Sequence, residues 1–108
     1  MNVIQELSLV ERARQLRHTF VQGKDHKHYK ILTFQLYEKI PPPEFANWET
    51  NVEEVNEKGQ RFALVQPLLR RFFSREEALA FHQKLLDGFD EMLKLKEPEP
   101  KHKPAAKA

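Results

Sequence analysis

The chain contains no cysteine, and that one absence removes disulfide staples, thiolate metal sites, iron–sulfur clusters and cysteine nucleophiles. Stability has to come from packing. Glycine is scarce at three residues, and none falls in the clustered pattern of a phosphate-cradling loop. No apolar run approaches the ~18 residues of a membrane-spanning helix, and the amino terminus lacks the basic-then-apolar layout of a secretory signal. The expectation is a cytoplasmic protein with no membrane association.

Catalytic patterns are missing as well. There is no H-E-x-x-H pair and no nucleophile elbow, and Ser8, Ser74 and the three threonines have no context that activates a hydroxyl. Glu53 and Glu54 are adjacent, so on a strand they point to opposite faces, which is wrong for a catalytic carboxylate pair. Their expected role is to charge an edge strand against aggregation. His26 and His28 would lie on one side of an extended segment with His18 upstream, but no third ligand has recognisable spacing, so no metal site is assigned. His82 reads as a helix-surface or core-edge residue, and His102 as part of the tail. The sequence reads as non-enzymatic, with no cofactor and no small-molecule substrate.

What is present is enough for one core. The chain has 108 residues, 40% of them hydrophobic, 31% charged and eight of them phenylalanine, which fits one domain over residues 1–96. From Glu97 to Ala108 only proline, lysine, glutamate, alanine and one histidine occur. Such a stretch buries too little apolar surface to offset its ordering entropy, and a disordered tail is expected over 97–108. The net charge of +2 is uneven, because residues 31–60 hold six acidic and two basic side chains while both flanks are basic.

Val3, Leu7, Val10, Ala13, Leu16 and Phe20 recur at steps of three and four, which predicts an amphipathic helix from about Asn2 to Val21. Asn2 with Gln5, or Ser8 with Glu11, would cap its start, and Gly23 would stop it. The period then changes. Leu32, Phe34 and Leu36 alternate with Ile31, Thr33, Gln35 and Tyr37, predicting a strand over Tyr29–Ile40 that ends at Pro41, Pro42 and Pro43. A second strand over Trp48–Val55, a turn at Asn56–Gly59 and a third at Arg61–Gln66 make a hairpin. Leu68–Phe73 either continues that strand past a bulge or forms a fourth. Ser74 with Glu77 is a capping box opening a long helix, whose stripe is Ala78, Phe81, Leu85, Phe89 and Met92, with Gly88 as its weak point.

The fold class is α+β, an antiparallel sheet of three to four strands with an N-terminal and a long C-terminal helix on one face, in the order α-β-β-β-α. Leu32, Phe34 and Leu36 are expected to meet Phe81, Leu85 and Phe89, leaving Tyr29, Ile31, Thr33 and Tyr37 on an open face.

Two binding surfaces follow. The line Leu79, Leu86 and Leu93 widens the apolar helix face beyond what one sheet contact needs, and an edge strand beside Trp48 would accept another strand. Those features predict a non-catalytic binding or regulatory module acting through protein association, in particular self-association as a homo-oligomer. The alternative is nucleic-acid binding, with bases stacked on Tyr29 and Tyr37, and with Arg70, Arg71 and the tail lysines Lys101 and Lys103 neutralising phosphates. No helix-turn-helix, zinc-finger or RNA-recognition signature supports it.

Overall fold

The computed structural model describes residues 1–7, 15–37, 44–61 and 66–99. Five strands form one antiparallel sheet in sequence order: β1 (Asn2–Leu7), β2 (Gln15–Gln22), β3 (His28–Gln35), β4 (Trp48–Val55) and β5 (Leu68–Phe72). Helix α1 (Arg75–Asp87) and the short α2 (Phe89–Met92) follow. The α+β class holds, with more strands than expected and no N-terminal helix among the described residues.

The segment read as that helix is instead the β1–β2 hairpin, with residues 8–14 outside the described residues. Over Gln15–Gln22 a period of two competes with the period of 3.6. Thr19 and Val21 are fully buried on one face, while His18 and Phe20 alternate with them on the other. β-branched residues at the buried positions suit a strand, and pairing on both sides with β1 and β3 decides the competition. Gly23 accordingly opens a hairpin turn rather than ending a helix. Its N–H donates to the Lys27 carbonyl (2.9 Å), and its own carbonyl accepts from His26 N–H (3.0 Å).

The strand expected over Tyr29–Ile40 is β3, which ends at Gln35, with residues 38–43 outside the described residues, and its faces are exchanged. Tyr29, Ile31 and Thr33 are the buried residues, and Leu32 and Phe34 lie on the opposite, half-exposed side. Register explains this. Ile31 stands between Thr19 and Val52, Thr33 opposite Thr50, and Tyr29 opposite Val21, so the chain's small and β-branched positions line up under the helix. A one-residue slip would move all of them to the other face. The core is Val21, Tyr29, Ile31, Val52, Phe81, Leu85 and Phe89. Each large side chain buried there contributes on the order of 1.5–3 kcal/mol.

β4 occupies an internal position, paired with β3 along its whole length and with β5 over Trp48–Val52. Trp48 therefore sits on an internal strand with the edge strand β5 beside it, and Glu53 and Glu54 lie past the β5 pairing. Glu53 and Glu54 do point to opposite faces, set against Lys30 and Tyr29. Beyond the turn, Arg61 makes a single bridge to Val55, residues 62–65 lie outside the described residues, and Leu68–Phe72 form a separate strand.

The helix starts as its sequence dictates. Glu77 N–H donates to Ser74 Oγ (3.1 Å), and the Ser74 hydroxyl donates to Glu77 Oε1 (3.1 Å). Gly88 does more than weaken it, since the helix stops there and resumes as α2. Glu97, Pro98 and Glu99 are exposed and irregular, and residues 100–108 lie outside the described residues.

Candidate interaction surface

The covered face is built around a histidine. His82, fully buried on α1, bonds Thr19 Oγ1 through Nε2 and Thr33 Oγ1 through Nδ1, both at 2.8 Å. Thr33 bonds Thr50 (2.7 Å), and Thr50 lies 3.2 Å from the Ala78 carbonyl. At the other end the Thr19 hydroxyl donates to Glu6 (2.6 Å), which also accepts from Arg17. Two of the chain's three threonines thus bond the ring directly, and Thr50 joins it through Thr33. Burial, and then the nearby Arg17, push the His82 pKa down to about 4.

Hydrogen counting fixes its tautomer. A neutral ring and three hydroxyls supply one hydrogen fewer than the chain of contacts from Glu6 to Ala78 requires. The Nε2–H form gives up only the longest contact, Thr50 to Ala78. The Nδ1–H form would give up one of the two short contacts at Thr19. The geometry therefore favours Nε2–H. With no exposed surface, this histidine–hydroxyl chain has no access to a substrate. It fixes β2, β3 and β4 beneath the helix. Sequence reasoning placed His82 at the periphery, although its spacing from Ala78, Phe81 and Leu85 puts it on the buried stripe.

The reverse face has no described element over it. Register arranges it in three cross-strand rows: Phe20, Lys30 and Glu53; then His18, Leu32, Asn51 and Leu69; then Phe34, Glu49 and Arg71. Leu69 is 44% exposed and Phe73 64%, while Phe20, Leu32 and Phe34 are half-buried. On this face the Glu49 carboxylate is buried and satisfied by Arg71 Nε (3.1 Å) and Asn51 Nδ2 (2.8 Å). Among the described residues two buried side-chain atoms have no partner, His18 Nε2 and Asn51 Oδ1. Both lie in the middle row, on either side of Leu32. An unpaired buried polar atom costs about 1–3 kcal/mol.

The residues expected to bind are distributed differently from the expectation. Tyr29 is 3% exposed, its ring edge-on to Phe89 at 5.3 Å and its hydroxyl donating to Asp25 (2.6 Å). Burial and the Asp25 carboxylate raise its pKa. It is core and cannot stack a base. Tyr37 is exposed but pairs with Phe45 (5.4 Å) at the far end of β3, where Asn47 bonds both its N–H and its carbonyl.

Arg70 and Arg71 do separate to opposite faces, each with one phenylalanine. Arg70 lies over the Phe81 ring at 5.1 Å and Arg71 is tied to Glu49 through Nε, and both residues are exposed. Lys101 and Lys103 lie outside the described residues. Leu86 and Leu93 are half-buried against the core, Leu79 is half-buried, and Trp48 stands between Gln35 and Phe72. The surplus helix leucines are thus largely used within one copy. Among the described residues no cluster of three or more histidine or acidic side chains would hold a metal ion. His26 sits in the turn at φ 69°, and His28 packs beside Phe20 at 5.7 Å.

No family model, curated protein or solved structure matches the chain. Its functional reading rests on this geometry.

Proposed function

We propose that the protein is a non-catalytic association module that pairs with a second copy of itself through the open sheet face. The observation that carries the reading is the one-sided sheet: α1 lies over β3, β4 and β5, while Phe20, Leu32, Phe34, Leu69 and Phe73 share the side with no described cover.

Charge favours a second copy as the occupant. Lys30 and Glu53 stand directly opposite each other across β3 and β4, and neither is in an ion pair among the described residues. Turning one copy over onto another, about an axis parallel to the strands, sets Lys30 of each against Glu53 of the other. A self-complementary patch of this kind is what a closed twofold dimer requires. Covering Leu32 and Leu69 would add apolar burial at roughly 25 cal/mol per Å².

Light scattering on the wild type and on Leu69→Asp tests the proposal. A wild-type dimer that the substitution converts to a folded monomer is the expected result. A wild type that stays monomeric at high concentration overturns it, as does a dimer indifferent to Leu69→Asp. Leu86→Glu serves as the contrasting variant, because Leu86 packs on the core and its loss should unfold the chain instead of separating copies.

A further inference from the structure

We propose that a pocket at the β1–β2–β3 end of the open face binds a phosphate group. The pocket has a volume of about 170 Å³ and is lined by Gln5, His18, Phe20, Lys30, Lys58 and Gly59. Its lining residues thus include two lysines, one glutamine and one histidine, and no acidic residue. Neither lysine is in an ion pair among the described residues. Two lysines at a small concave site with no carboxylate in its lining suit a compact dianion better than a neutral ligand, and Glu53, across from Lys30, stands outside that lining.

The site is built by the fold and does not depend on two loose side chains meeting by chance. Lys58 and Gly59 belong to the turn after β4, where Asn56 Oδ1 accepts from both Lys58 N–H and Gln60 N–H at 2.9 Å. The Gly59 N–H donates to the Asn56 carbonyl (2.9 Å), and Gly59 takes φ +82°, a conformation that favours glycine. A Cβ at Gly59 would sit 3.3 Å from Lys30 Cε and 3.7 Å from its Nζ, so the Lys30 side chain lies across this turn. The turn thereby sets the backbone of Lys58 and Gly59 beside the Lys30 side chain.

His18 forms another part of the wall. Its Nε2 is buried and unpaired. Burial and then Lys30 keep its pKa below the usual histidine value, against the opposing pull of Glu6 and Glu53. A small rotation of the ring toward the pocket would give that nitrogen an oxyanion partner. Glu53 lies across from Lys30 and accepts from Gln66 (3.5 Å), and Glu57 lines separate depressions beside Asn56. Phe20, backed by His28, adds an apolar side on which the organic part of a phosphate ester would rest.

The test is an NMR titration of the full chain with inorganic phosphate and, separately, adenosine monophosphate, at ionic strength held constant with chloride. Saturable shifts of the Gln5 side-chain amide, the His18 ring and the Lys58 and Gly59 amides are expected. Lys30→Gln combined with Lys58→Gln should weaken binding about tenfold or more, with the α1 amides unmoved as the check on folding. Tighter binding of the monophosphate would identify an ester as the ligand, and equal or weaker binding would identify the free ion. Either outcome supports the site. The absence of any saturable shift overturns it, as would the same shifts with chloride alone or undiminished binding by the double variant. Repeating the titration on Leu69→Asp separates this inference from the self-association reading, because a single copy should bind phosphate at least as tightly, with Lys30 no longer set against Glu53 of a second copy.

Discussion

The two faces of one sheet solve the problem of polar residues in opposite ways. Beneath the helix, Thr19, Thr33, Thr50 and His82 are fully buried, and every one of them has a partner. On the reverse face two buried polar atoms have none, although that face is the more open to water. The first face is therefore a finished core with a polar seam. The second is a surface whose polar and apolar groups would both gain from being covered. Hydrophobicity alone would have ranked them the other way, since leucine and phenylalanine lie outside and threonine inside.

The largest effect that would break this contrast is at His82. His82→Leu deletes the ring between Thr19 and Thr33 and should cost about 3 kcal/mol in denaturant unfolding. The same ring gives the covered face a pH signature. Its folded pKa of about 4 lies below the unfolded value of 6.5, so the unfolded chain takes up the proton first. Stability from this group is highest above pH 6.5 and falls as pH drops toward 4, by roughly 3 kcal/mol in all. In His82→Leu this part of the acid slope should vanish. Nitrogen-15 shifts of the wild-type ring should report an Nε2–H tautomer, and an Nδ1–H ring would refute the hydrogen count.

Gly23→Ala comes next. A Cβ there would lie 2.7 Å from Leu95 Cδ1 and 2.7 Å from Asp25 Oδ1. Forcing those groups apart should lower stability by about 1–3 kcal/mol, seen as a drop in Tm. Ser74→Ala removes the cap of α1 and should cost about 1 kcal/mol by the same measurement. Smallest is Leu69→Asp, which should change unfolding by no more than about 0.5 kcal/mol while abolishing self-association. A large loss of monomer stability there would mean that the reverse face is also core.

Much of the downstream half was legible in the sequence because its signals are local. Ser74 and Glu77 set the helix start, and the strand expected over roughly Trp48–Val55 is β4. The upstream half misled because its apolar spacing fits both periods, and only pairing with β3 chooses between them. The face exchange in β3 was hidden for a related reason. Whether Leu32 or Ile31 points inward depends on where Thr50, Val52 and His82 end up, which no local window contains. For the candidate surface, the separation of Arg70 from Arg71 could be read from strand alternation. The burial of Tyr29 and the convergence of Lys30 with Lys58 depended on register and on the turn at Gly59.

A dilution series followed through carbon-13 methyl resonances addresses both faces at once. Passing from millimolar to micromolar protein, the Leu32 and Leu69 methyl signals should move with concentration while those of Ile31 and Val52 stay fixed. Stationary Leu32 and Leu69 signals across the whole series, or equal movement of all four residues, would contradict the assignment of one face to the core and the other to a partner.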